Sequence, residues 1–211
     1  MAKQSGLGDQ LYCGGYNISG DIGSLSRIGG GPAAMDVTDI TQSAHERIGG
    51  LRDGGIEFTS WFNDAVLREH VALSPLPTAD VVVSYFRGQT IGNAAASMNA
   101  KQVNYDPTRG ADGSLTIGVS AVSNAYGLEW GNMITAGVRT DTTGTTGSAM
   151  DSGAASTTFG LQAYMHVFSF TGTSFTATIQ ESSDNGADTY AAVVGGAFAA
   201  ASAIGTQRIA T

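Results

Sequence analysis

Three histidines, one cysteine and eighteen carboxylates are the first places to look for chemistry in this 211-residue chain. His45, His70 and His166 stand far apart, in what read as a loop, a helix and a strand. None has the spacing of a zinc site or of a nucleophile–base–acid triad. Cys13 has no histidine or basic residue near it in sequence to favour the thiolate, so nothing points to a nucleophile. It also leaves no partner for an internal disulfide, and the redox compartment stays open. No Gly-x-Ser-x-Gly elbow and no phosphate-binding glycine loop occurs. Asp106 to Asp112 lacks the ligand spacing and closing glutamate of a calcium loop and reads as a turn. The Ser182-Ser183-Asp184-Asn185-Gly186 cluster resembles turns of carbohydrate-binding and adhesion modules, but a turn alone builds no sugar site. No catalytic, cofactor-binding or metal-binding residue is assigned, no cofactor is expected, and an enzyme is not expected.

The residues that stand out instead could make contacts. Ile56, Phe58, Ser60 and Phe62 alternate with Glu57, Thr59 and Trp61, the period-2 pattern of a strand with one face on a core. Glu57 and Trp61 fall on the other face, and an outward tryptophan on a sheet marks a contact surface. The preceding stretch from about residue 30 to 55 is polar and glycine-interrupted. It reads as a long loop without a core of its own, suited to packing on another subunit. Arg47, Arg52 and Asp53 lie in it and join Glu57 and Trp61 as candidate subunit-contact residues.

The remaining elements follow from periodicity and breakers. Residues 1–12 read as an arm that orders on assembly. Tyr16 to Ile28 reads as one or two short strands, stopped by Gly29-Gly30-Gly31-Pro32. Asn63 and Asp64 suit a helix start, Val66, Leu67, His70, Val71 and Leu73 follow at helical spacing, and Pro75 and Pro77 stop it. His70, beside that stripe, reads as a packing residue. Asp80 to Gly88 is a near-continuous run of β-formers and reads as a central strand. Ala94 to Tyr105, Leu115 to Ala121, Asn124 to Gly131 and Met133 to Val138 complete a first domain, residues 1–140. Residues 141–158 are Thr, Gly, Ser and Ala with few others, a linker composition that implies few contacts across it. Strands over Phe159 to Val167, Phe175 to Gln180 and Tyr190 to Val194 then start a second β module, residues 159–211. A β-sandwich needs roughly 100 residues, so this partial module is expected to be completed by further sequence or by another chain.

Composition narrows the partners. Only 13% of the residues are charged, thirty are glycine, and the net charge is −8. The charge divides as −5 up to Asp141 and −3 beyond it. No basic stripe for gripping phosphates is present. No run of about 18 apolar residues could span a membrane, and the N-terminus does not read as a signal peptide.

Several short motifs together are similar to tail tube proteins of long-tailed, siphovirus-like bacteriophages. They are Asn17-Ile18-Ser19-Gly20-Asp21-Ile22, Met35-Asp36-Val37-Thr38 and Glu46-Arg47-Ile48-Gly49-Gly50-Leu51-Arg52-Asp53-Gly54. Downstream follow Arg87-Gly88, Lys101 to Asp106, the Arg109-Gly110-Ala111-Asp112-Gly113 turn and Leu128-Glu129-Trp130-Gly131. The order and spacing carry the resemblance, which covers most of the chain. It implies a mainly β, tail-tube-type sandwich or barrel with one flanking α-helix and an appended C-terminal β module. It further implies a virion protein assembled in the bacterial host cytoplasm, forming homo-oligomeric rings, usually hexameric, that stack into a tube. Other tail proteins would be its partners, and phage DNA would pass through the lumen without specific binding. Two alternatives stay open: another virion structural protein, such as a tail terminator or capsid decoration protein, and a glycan-binding β module.

Overall fold

A computed structural model describes residues 3–153, 160–184 and 186–211. Met1 and Ala2 of the expected arm, the expected linker over 154–158, the strand start at Phe159, and Asn185 of the turn cluster lie outside the described residues. The protein is mainly β. In chain order the strands are β1 (Gln10–Cys13), β2 (Tyr16–Asn17), β3 (Ile22–Asp36), β4 (Arg47–Trp61), β5 (Val81–Phe86), β6 (Ala94–Gln102), β7 (Asp106–Arg109), β8 (Leu115–Ser123) and β9 (Glu129–Asn132). After these come β10 (Gln162–Val167), β11 (Thr178–Glu181), β12 (Ala191–Ala197) and β13 (Gly205–Ala210). One short helix, α1 (Glu69–Leu73), and a 3-10 turn at Ser19–Asp21 interrupt them.

The first nine strands form one antiparallel sheet in the order β2-β1-β5-β6-β8-β4-β3, with β7 added to β8 and β9 to β6. It folds over because two strands change partners along their length. One edge of β6 pairs with β9 over Ala94–Ser97 and with β8 over Ala100–Gln102. Likewise β8 pairs with β7 at one end and β6 at the other. The core lies between the two halves: Leu11, Val83, Tyr85, Ala96 and Met98 on one side meet Ile56, Phe58, Ile117, Val119 and Ala121 on the other. The alternation expected at Ile56–Phe62 holds through Ser60 and fails at Phe62, which is partly exposed and packs on His70.

Three expectations are corrected. First, Gly29-Gly30-Gly31-Pro32 does not stop the chain, and the stretch from 30 to 55 is not a loop. β3 and β4 run through it as a hairpin, with Gly29 opposite Gly55 and Gly30 opposite Gly54. Glycine is required here for close approach: a Cβ on Gly54 would lie 2.6 Å from the Leu128 nitrogen and 2.7 Å from its Cβ. Proline is tolerated because β3 is an edge strand.

Second, the helix from Asn63 shrinks to Glu69–Leu73. Asn63 Oδ1 accepts the Ala65 amide in a local turn, and Asn63 Nδ2 donates to Asp21 Oδ1 at 2.7 Å. The buried Asp21 then accepts the Glu69 amide at 3.4 Å, so another element caps the helix, a full turn later than expected. Third, Asp106–Arg109 is a strand before the turn begins. At the N-terminus, β1 belongs to the sheet, and Asp9 is tied to Arg87 at 2.8 Å.

The C-terminal residues build two small antiparallel pairs, β10 with β13 and β11 with β12. Strand β13, absent from the sequence reading, closes the first. This ribbon lies against the outer face of β5. His166 Nε2 meets Ser84 Oγ at 2.9 Å, the Val82 amide donates to Thr206 Oγ1 at 3.2 Å, and the Arg208 guanidinium sits 3.6 Å from the Tyr126 ring centre. Buried on both faces, β5 needs apolar residues at successive positions, which explains its unbroken Val81-Val82-Val83 run.

Candidate assembly surface

The β3–β4 hairpin has fifteen residues in each strand, about 50 Å at ~3.4 Å per residue. Its proximal half is sheet: β4 from Gly55 to Trp61 pairs with β8. Beyond Gly30 and Gly54 no third strand pairs with β3 or β4 among the described residues, and past the contacts of Arg52 and Asp53 with Glu129 and Ser123 a two-stranded ribbon projects. Such a ribbon is marginal in water and its edges are open templates for pairing. It also carries Met35, Val37, Ile40, Ile48 and Leu51 exposed, Ile40 completely so. Those apolar residues on a projecting tip are contact candidates that the sequence reading passed over as part of a polar loop.

The tip is nevertheless ordered by local bonds. Asp36 Oδ1 accepts the Thr38 amide (3.0 Å) and hydroxyl (2.5 Å), and Asp36 Oδ2 pairs with His45 at 2.8 Å. Asp39 accepts the Thr41 amide and hydroxyl at 2.7 and 2.6 Å. These donors hold both carboxyls below their ordinary range, the Thr38 and Thr41 hydroxyls first.

The candidate contact residues separate into three situations. Arg47 is exposed at the distal end, with no side-chain partner among the described residues. Arg52 reaches back to Glu129 at 2.8 Å, a pairing within the chain that pushes its guanidinium pKa up, and Asp53 holds the Gly54 amide where the ribbon leaves the core. Glu57 is bridged to Arg27 at 3.1 Å, and Trp61 is half exposed near Gly23. They mark one hairpin along its length and do not converge on one patch.

Strands β7, β8, β4 and β3 make a four-stranded stretch whose two outer edges, on β7 and on β3, pair with nothing among the described residues. Its face away from the core presents Thr59 beside Gly118, Glu57 beside Ser120, Trp61 beside Thr116, and Asp106 and Thr108 on β7. Small hydroxyl side chains and glycine predominate, with Arg27, Glu57 and Asp106 as the charges.

No family model matches this chain, and no curated protein matches it. Solved structures give partial similarities. One is to a chain in the virion of a native gene transfer agent (GTA) particle, with a TM-score of 0.47, 15% identity, and coverage of 61% of this chain and 99% of that one. Another is to a chain in the tail of an empty GTA particle with C6 symmetry, with a TM-score of 0.46, 16% identity, and 62% and 99% coverage.

The other chemistry-bearing residues are occupied structurally. Burial pushes the Cys13 thiol up to about 12 and keeps it protonated. His70 Nδ1 lies 2.7 Å from the Tyr105 hydroxyl and its ring packs on Phe62. Among the described residues no three His, Cys, Asp or Glu side chains converge as a metal site.

Proposed function

We propose that this protein is a tail tube subunit that assembles into stacked rings around a DNA conduit. One observation carries the reading: the sheet β7-β8-β4-β3 is open at both ends, and its strand directions alternate. β7 therefore runs antiparallel to β3, so β3 of one copy can meet β7 of the next and continue an antiparallel sheet without a break. An interface using two different edges is heterologous, and it closes into a ring when the rotation suits. Closure removes the exposed edges that otherwise promote aggregation.

The resemblance of the sequence motifs to tail tube proteins supports the same reading and suggests six subunits. Six copies of four strands at ~4.8 Å spacing would give a barrel at least about 37 Å across at the backbone. The small, hydroxyl-rich outer face of this sheet would line the lumen, and Arg47 at the distal end would contact a neighbouring subunit.

The test is imaging of purified protein by negative stain, with sedimentation in parallel. Hollow tubes or rings are expected, and Arg47→Glu should reduce their yield while leaving a folded monomer. A wild-type protein that stays monomeric across concentration and salt would overturn the reading.

A further inference from the structure

The base of the β3–β4 hairpin carries a groove of about 560 Å³. It is bordered by Ser19 and Gly20, just before β3 begins, and by Val66, Leu67 and Arg68, soon after β4 ends, with Phe168 from the C-terminal residues on its side. Three features set it apart from ordinary surface. Val66 is 85% exposed, a large apolar side chain held in water. Leu67 adopts φ +62°, a left-handed conformation uncommon for a residue with a Cβ and one that needs support from its surroundings. Arg68 is exposed, with its guanidinium beside Gly20 and no side-chain acceptor among the described residues.

The same hairpin ends, some 50 Å away by strand length, in a tip of complementary character. Ile40 is fully exposed and Val37 partly so, and Asp39 and Glu46 flank them. The Asp39–Thr41 bonds and the Val37 amide to the Glu46 carbonyl (2.9 Å) fix the turn before any contact forms. A preformed turn loses little freedom on binding. Tip and groove lie at opposite ends of one hairpin, so a chain cannot fill its own groove.

We propose that the tip of one copy, residues 37–46, seats in the base groove of a second copy. Ile40 and Val37 would cover Val66 and Leu67, and Glu46 or Asp39 would meet Arg68. This contact is also heterologous, but it is directed along the hairpin and does not close. It therefore repeats along one axis. It rests on the tube reading and gives that reading its stacking joint, separate from the edge-to-edge joint that makes a ring.

The test mixes two single variants, Ile40→Cys and Val66→Cys, under oxidation; buried Cys13 stays out of the exchange. A disulfide-linked heterodimer, absent from either variant alone, is expected. The double variant should give a ladder of multimers. Arg68→Glu should leave rings that fail to stack, and adding Glu46→Arg should restore stacking. Tubes from wild-type protein with no Ile40–Val66 cross-link would overturn this contact and leave the conduit reading standing. Cross-links without rings or tubes would do the reverse.

Discussion

His166 shows how one largely buried side chain ties distant parts of the chain together. It sits between the Tyr12 and Phe168 rings, 5.7 and 6.0 Å centre to centre, with Nε2 on Ser84 and Nδ1 without a partner among the described residues. Burial depresses its pKa from 6.5 to about 3. For a base held neutral in the fold, stability is complete above the ordinary value and falls as pH drops from 6.5 towards 3. Glu69 works in the opposite sense. Burial raises its pKa, so it favours the fold in acid and weakens it as pH rises through its folded value. Between pH 5 and 6.5 the carboxyls held low at Asp36, Asp39 and Asp80 stay charged and contribute little change. In that window the His166 contribution falls with acidification while the Glu69 contribution opposes it. His166→Gln, which keeps a hydrogen-bonding group but does not titrate, should remove the first alone, so on acidification its melting temperature should gain relative to that of the wild type. Parallel curves for the two proteins would remove His166 as the cause.

At the scale of elements, the hairpin depends on the backbone crossing closely under Leu128. Gly54→Ala would drive a methyl into the Leu128 backbone and side chain, and overpacking of this kind costs about 1–3 kcal/mol. The expected result is a lower denaturant midpoint and loss of assembly, while Gly29→Ala, with open space around the new methyl, should be mild. Equal effects of the two would show that glycine is needed there for something other than close approach.

The hairpin also shows what could be read from sequence. The strand at 56–60 and its faces were legible because alternation reports directly on a core. The strand through 29–32 was not, because glycine and proline signal turns in isolation and say nothing about a partner strand. Yet Gly29 and Gly30 stand symmetrically to Gly55 and Gly54 about residue 42, the arrangement of a hairpin whose glycines face each other. The helix start was misplaced because its cap, Asp21, comes from a part of the chain 48 residues away. The free edge of β7 was invisible because an edge is defined by what fails to pair in three dimensions. Arg47, Arg52, Asp53, Glu57 and Trp61 were found as one stretch, but only the structure separates exposed Arg47 from Arg52, which is engaged by Glu129.

For the molecule as a whole, composition between 141 and 158 suggested a tether with little crossing it. The docked ribbon is otherwise: the C-terminal strands cover Tyr12, Val82 and Ser84, which are buried. Truncation after Asp141 would expose that face and strip the Val82 amide and Ser84 hydroxyl of Thr206 and His166. A truncated protein should be less stable than the full chain, with a lower melting temperature and a greater tendency to aggregate. Unchanged melting would mean that the ribbon rides on the domain without supporting it.

The charge distribution carries the last expectation. DNA that must slide through a tube is stalled by a wall that neutralises phosphates, since each contact releases counterions and strengthens binding. The sheet face proposed for the lumen has Glu57 bridged to Arg27, which leaves Asp106 as its uncompensated charge amid Thr, Ser and Gly. Ring symmetry would repeat that small negative excess around the wall and add it to the chain's −8 background. Screening limits the effect to about 8 Å at physiological salt, so only residues on that face matter. Assembled tubes should therefore not retain double-stranded DNA at about 0.15 M salt. A variant carrying Glu57→Lys and Asp106→Lys should retain it, with binding that weakens steeply as salt rises. Glu181→Lys, exposed on β11 away from that face and from the tip and groove, changes the chain's net charge without touching the wall and should retain none. Retention by wild-type tubes, or equal retention by the wall and β11 variants, would place the lumen on another face of the protein.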